Sequence, residues 1–300
     1  MKGAVIDMGT NTFSLLIFRE DRNHSEILLT DRGVVNLGEG CINSNSLMPQ
    51  AIERAYRVIK KFMEECRAYS IPNNNIRAFG TSAMREACNA PELIKRLQHD
   101  FGLNITIING QEEANIVYQG VKKIHLFNPG DTCIMDIGGG STEFTVVHDN
   151  YIQSQKSYNI GLARLIQMFD LSDPLTAEDL TKIARFLEKE TATFFTPTFV
   201  DDLIGVGGSF ETYFNLVNKE FNYQSNQTYQ LPLDDLFRVL DELIYSSQNE
   251  RNDNIWIADF RKQMMNIAAF KTKWALQQLE ASSCYFSPAS LKEGIIASKF

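Results

Sequence analysis

A chain of 300 residues, 44% hydrophobic and 22% charged, has the length for two globular domains and is neither disordered nor fibrous in composition. Its net charge of −8 gives nucleic acid or an anionic membrane no general attraction, so an anionic substrate must be met by local donors or a metal. No apolar run reaches the roughly 18 residues of a membrane span. The five scattered cysteines form no Cys-x-x-Cys pair, and the four histidines have no metal-ligand spacing, so a soluble, reduced, cytoplasmic protein is expected.

The first segment, Gly3 to Phe18, is an apolar strand ending in Asp7, a turn of Gly9, Thr10, Asn11 and Thr12, and an apolar strand returning. Ile27 to Thr30 and Val34 to Leu37 read as further strands, and Leu47 to Tyr69 has helical spacing. Ile76 to Gly80 is a short strand. Thr81-Ser-Ala-Met-Arg85 follows, which puts Arg85 near a strand's C-terminal edge, where α/β sites gather. An ordinary surface arginine would fit there equally well. Glu92 to Asp100 reads as a helix and Asn104 to Ile108 as a strand. Asn109-Gly-Gln-Glu-Glu-Ala114 then opens a helix toward Ile124. Glu112 and Glu113 suit the dipole at that helix start, which alone accounts for acidic residues there.

The second half opens on Thr132 to Val147, which repeats the plan of the first segment. An apolar strand ends in Asp136, Gly138, Gly139 and Gly140 turn, and Glu143 begins the return. Glycines let amides crowd an anion, and two flanking carboxylates suit a metal-bound phosphate. A plain hairpin is the simpler alternative for either copy. Two copies, one opening each half, favour similar domains facing one cleft. Tyr151 to Tyr158 reads as a strand, and Gly161 and Arg164 precede a helix. Thr176-Ala-Glu-Asp179 resembles a capped helix start. Leu203 to Ser209 is a third glycine turn, whose Gly205, Gly207 and Gly208 serve either a phosphate or tight helix packing. Asn215 to Gln230 reads as loop, Leu233 to Tyr245 and Asp259 to Leu279 as helices, Ser283 to Phe286 as a strand and Pro288 to Phe300 as a last helix. Domains of 1–124 and 125–287 are expected.

No Walker loop, nucleophile elbow, zinc signature or kinase set occurs. Asp7, Asp136 and Glu143 remain, with Glu113 as a further candidate and glycine turns between. Carboxylates of this kind hold Mg²⁺, amides bind a phosphoryl group, and one carboxylate orients water. The residues alone thus point to phosphoryl transfer on a duplicated, actin-like α/β fold.

The set Asp7-Met-Gly-Thr-Asn-Thr-Phe13, Gly80-Thr-Ser-Ala-Met-Arg-Glu-Ala-x-Asn89, Asn109-Gly-Gln-Glu-Glu-Ala114, Asp136-Ile-Gly-Gly-Gly-Ser-Thr-Glu143 and Gly205-Val-Gly-Gly-Ser209 resembles the exopolyphosphatase and guanosine pentaphosphate phosphohydrolase family. The resemblance spans nearly the whole chain. The aspartate–glycine hairpins alone are shared with sugar kinases, heat-shock ATPases and actin.

The resemblance implies an α/β protein of two ribonuclease-H-like domains flanking a cleft, and Mg²⁺ (or another divalent cation) as cofactor. It implies release of the terminal phosphate from polyphosphate or pentaphosphate, with no nucleic-acid or membrane partner; a homodimer stays open. By position, Glu113 would be the base, with Asp136 and Glu143 assisting. Asn11, Thr12, Arg85, Gly138, Gly139, Gly140, Ser141, Gly207, Gly208 and Ser209 would bind phosphate. Asp7, Asp136 and Glu143 would hold the metal, and helix 288–300 would return to the first domain. Three departures stand out. The first turn reads Gly-Thr-Asn-Thr for the family's usual Gly-Ser-Asn-Ser, Asn115 replaces a common Arg, and longer relatives carry an additional helical region beyond a stretch of this length, which bears on their grip of long polyphosphate. A kinase of the same superfold and a non-catalytic nucleotide or polyphosphate sensor are the competing readings.

Overall fold

A computed structural model describes residues 1–21, 24–195 and 199–298. The chain divides into two compact units, Met1–Glu113 and Ala114–Phe300.

In the first unit, β1 (Lys2–Met8) and β2 (Thr12–Asp21) are the expected hairpin, and β3 (His24–Val34) continues it as one long strand. The separate strand expected at 34–37 does not form. The amides of Val35 and Asn36 bond to the Asn11 carbonyl instead, and Gly38 to that of Thr10. Four helices follow in this part of the chain: α1 (Cys41–Ser44), α2 (Pro49–Ala68), α3 (Ser82–Glu86) and α4 (Ala90–Phe101). β4 (Ile76–Gly80) lies between α2 and α3, β5 (Ile105–Ile107) follows α4, and α5 (Gly110–Ile124) leads out of the unit. The sheet order is β3-β2-β1-β4-β5, with β1, β4 and β5 parallel. α2 explains its own burial: Ala51, Ala55, Ile59, Phe62, Met63 and Cys66 recur at helical spacing and are all within the core.

The second unit carries β6 (Asp131–Ile137), β7 (Thr142–His148), β8 (Tyr151–Tyr158), α6 (Leu162–Met168), α7 (Ala177–Thr191), β9 (Asp202–Val206) and α8 (Gly208–Asn218). Then come β10 (Tyr229–Leu231), α9 (Leu233–Ile244), α10 (Gln248–Asp253), α11 (Met265–Gln278), β11 (Ser283–Ser287) and α12 (Leu291–Ala297). Its sheet runs β10-β11-β9-β6-β7-β8. Read from β8, that order repeats the first sheet and adds β10 beyond β11, with β6, β9 and β11 parallel. The duplication inferred from two hairpins therefore extends to whole sheets.

Some elements differ from expectation for local reasons. Thr176 and Asp179 do close a capping box on α7. α8 runs into the stretch read as loop, and α10 is set by a second capping box, Ser247 with Glu250, inside a polar run. The expected helix from Asp259 is broken: Asp259–Arg261 is a single 3₁₀ turn before α11. Arg164 lies inside α6 rather than before it.

The division after Glu113 falls inside α5, not at the expected 124/125. The reason is a helix pair within the second unit. A Cβ on Gly294 would stand 1.9 Å from the Ile116 carbonyl oxygen, and one on Gly120 would stand 3.0 Å from the Gly294 nitrogen. α12 thus lies backbone to backbone on α5, which is possible only where both faces lack a side chain. Contact grouping puts α12 and the part of α5 that it packs on in the same unit; residues 299 and 300 lie outside the described residues.

Candidate active site

The two hairpins share one register. Asp7 faces Ser14 across β1 and β2, and Asp136 faces Glu143 across β6 and β7. Each turn closes by the same bond: the Gly9 amide donates to the Thr12 carbonyl at 3.2 Å, and the Gly138 amide to the Ser141 carbonyl at 3.1 Å. The turns are also buttressed alike. In the first, the carbonyls of Thr10 and Asn11 accept from Gly38, Val35 and Asn36. In the second, Gly161 donates to Gly140, Leu162 to Gly138, and Ala163 and Arg164 to Gly139. Arg164 Nε adds a bond to the Gly140 carbonyl at 3.0 Å. With the carbonyls engaged from one side, the amide side of each turn is the side offered to an anion.

Within the first unit, a carboxylate and a cation are paired. Asn109 and Glu112 form a reciprocal cap at the start of α5: the Asn109 amide donates to Glu112 Oε2 at 2.8 Å, and the Glu112 amide to Asn109 Oδ1 at 2.9 Å. Glu112 is therefore a capping residue. Glu113, its neighbour, turns to Arg85, whose Nη1 stands 3.3 Å from Glu113 Oε2 and 2.8 Å from the Ile108 carbonyl. Arg85 is thus an inward pair with Glu113 and not an exposed arginine; its side chain is 22% exposed and that of Glu113 13%. Asp7 accepts from Ser14 Oγ at 3.5 Å.

In the second unit Glu143 is buried and accepts from Ser157 Oγ at 2.7 Å. The third glycine turn separates into distinct roles. Gly205 is packing: a Cβ there would fall within 1.9 Å of the Phe210 ring. Gly207 has φ +87 and passes Asp136 so closely that a Cβ would stand 3.0 Å from Asp136 Oδ1. Gly208, at the positive end of α8, lies under the Arg261 guanidinium, and Ser209 beside it is buried. The structure brings Gly207 together with Asp136, which the sequence could only suggest.

Four contributors escaped the sequence. Arg261 pairs with Glu211 and Thr212, and Ser157 holds Glu143. The α6 amides brace the glycine turn. Lys271 on α11 is fully buried, donating to Thr142 Oγ1 and, at 2.5 Å, to the Ile160 carbonyl. Burial pulls its pKa down from 10.5 to about 7, against the pull of Glu143 and Asp136. A lysine one residue from Phe270 and three from Trp274, in an otherwise apolar helix face, was the available signal.

Among the described residues no three His, Cys, Asp or Glu side chains stand together as a metal cage. Asp136 and Glu143, opposite one another beside a phosphate-type turn, instead match a hydrated Mg²⁺, which keeps waters and takes one or two carboxylates plus substrate oxygens.

The sequence model of the Ppx/GppA phosphatase family matches residues 16–300. A bifunctional 3-dehydroquinate synthase/phosphatase of Fusobacterium nucleatum is 33% identical over 238 residues, or 75% of this chain; the chain covers 35% of that relative's length. The solved exopolyphosphatase of Cytophaga hutchinsonii is similar with a TM-score of 0.93 and 29% identity, covering 100% of this chain and 97% of that one. The Ppx/GppA family member of Aquifex aeolicus gives 0.82 at 25% identity, with 100% and 97% coverage.

Proposed function

The chain belongs to the Ppx/GppA phosphatase family, and from that premise we propose a Mg²⁺-dependent phosphohydrolase that removes the terminal phosphate of inorganic polyphosphate, of guanosine pentaphosphate, or of both. The observation that carries this reading is the Glu113–Arg85 pair at the start of α5, a carboxylate held in orientation by a planar cation. Glu113 is the group that aligns and deprotonates the attacking water. Arg85 holds its carboxylate and draws a phosphate oxygen. The amides of Gly138 to Ser141, locked on their carbonyl side by α6, bind the phosphoryl group.

Asp136 and Glu143 would hold the Mg²⁺, with Ser157 fixing Glu143. The ion would neutralise charge on the phosphate chain while waters and phosphate oxygens fill its remaining positions. The free thiols of Cys41, Cys66, Cys88, Cys133 and Cys284 suit a reducing, cytoplasmic setting, and no helix of the described residues is long and apolar enough to cross a membrane.

The test is phosphate release with Mg²⁺ from polyphosphate, guanosine pentaphosphate and ATP side by side. Release from either of the first two, well above that from ATP, supports the assignment. Release from none of them overturns it.

A further inference from the structure

We propose that Lys271 is a positioning residue, which pins the glycine turn of the second unit from beneath by bonding to both segments that shape it. What the turn binds rests on the phosphohydrolase reading above; how the turn is held does not.

The two bonds of Lys271 reach the two sides of the turn. On one side, Nζ donates to Thr142 Oγ1. That hydroxyl donates in turn to the Ser141 carbonyl at 3.0 Å, the same oxygen that accepts the turn-closing Gly138 amide. On the other side, Nζ donates to the carbonyl of Ile160 at 2.5 Å. Ile160 leads directly into Gly161, Leu162, Ala163 and Arg164, whose amides engage the carbonyls of all three turn glycines. One nitrogen therefore ties the inner closure of the turn to its outer brace. Gly161 makes the brace possible: a Cβ there would stand 2.4 Å from the Gly139 and Gly140 backbone.

Two donations are available from either form of the amine, since a neutral amine still has two N–H bonds. The pin therefore does not depend on the protonation state of Lys271. Nor is the lysine explained by packing. Lys271, Thr142 and Ile160 are all completely buried, on a helix whose neighbours Ala268, Trp274 and Ala275 are core. An apolar side chain would fill the position without the cost of burying an amine, but it would take the donor away from Thr142 Oγ1 and the Ile160 carbonyl. A group kept there at a cost needs another reason, and the turn supplies it. Lys271 itself is wholly enclosed and touches no substrate; it acts through the turn.

The experiment compares wild type with Lys271→Met, close in shape but unable to donate, by amide hydrogen exchange across residues 138–142 in the substrate-free protein. Exchange in that turn should quicken by about tenfold or more, with the rest of the fold unchanged. Melting should fall only modestly, on the scale of a lost buried hydrogen bond. Turnover should fall by roughly ten- to a hundredfold, the scale expected when binding groups shift by a fraction of an ångström to about 1 Å.

Should Lys271→Met fail to fold, Thr142→Val removes one arm of the pin while leaving the amine in place, and the same quickened exchange is expected. Unchanged exchange in the turn of the folded variant overturns the proposal, whatever its activity. A wild-type protein that released no phosphate would instead contradict the phosphohydrolase reading, and the exchange comparison would still decide the role of Lys271.

Discussion

Arg85 Nη1 donates to two acceptors at once, the Ile108 carbonyl at 2.8 Å and Glu113 Oε2 at 3.3 Å. The backbone contact fixes the guanidinium, and the fixed guanidinium then aims the carboxylate of Glu113 at the start of α5. Lysine keeps the charge of Arg85 but replaces the rigid, planar guanidinium, whose Nη1 serves both contacts, with a mobile ammonium. Arg85→Lys should therefore lower kcat by roughly tenfold or more and raise KM, as when one charge-assisted contact of about 1.5–3 kcal/mol is lost. Steady-state phosphate release checks this, and unchanged constants would reduce Arg85 to a structural ion pair.

Glu112 and Glu113 adjoin in sequence and differ in task. Because Glu112 accepts from the Asn109 amide at 2.8 Å, Glu112→Ala should cost stability, about 1 kcal/mol for a lost cap, and leave turnover nearly intact. Urea unfolding beside kinetics tests the separation. A Glu112→Ala enzyme of full stability and poor turnover would reverse the two roles.

Gly205 serves the helix and not the phosphate. Its Cβ would overlap the buried Phe210 ring at 1.9 Å, so Gly205→Ala should destabilise by about 1–3 kcal/mol through overpacking. A shift in the urea midpoint at unchanged slope is expected. No shift would mean that β9 and α8 separate more readily than their packing implies.

His148 gives a pH signature. The Asp131 carboxylate, bonded to its Nδ1 at 2.7 Å, and then Asp149 hold its pKa above 6.5. A pKa raised by folding gives stability that is complete below the unfolded value and is lost as pH climbs through the folded one. The stability advantage of wild type over His148→Gln should therefore be present near pH 5.5, absent near about pH 8.5, and weakened by salt, as for any exposed pair. An advantage that grew with pH would contradict the pairing.

Local chemistry made the hairpins readable, because Asp–x–Gly between apolar strands leaves little choice of structure. Asp7 and Asp136 stand where their spacing put them, each at the end of its strand. Glu113 was visible only as half of an acidic pair. Its distinction from Glu112 arises from a cap that the Asn109-x-x-Glu112 spacing carries and from an arginine 28 residues away that no spacing encodes. Lys271 showed only as a lysine among core residues; its partner Thr142 lies 129 residues away in the chain, beyond any spacing argument. The pairing of α5 with α12 was not readable either, because Gly120 meets Gly294 and only the fold brings those two together.

Glu113→Gln separates a base that activates the attacking water from a carboxylate that only pairs with Arg85, because size and hydrogen-bonding reach are nearly kept. With Mg²⁺ present, the variant should bind polyphosphate or guanosine pentaphosphate as wild type does but release phosphate roughly 10²- to 10⁴-fold more slowly, the contribution of a positioned base. Wild-type enzyme in excess chelator should likewise fall to background. Near wild-type release by Glu113→Gln would contradict the account.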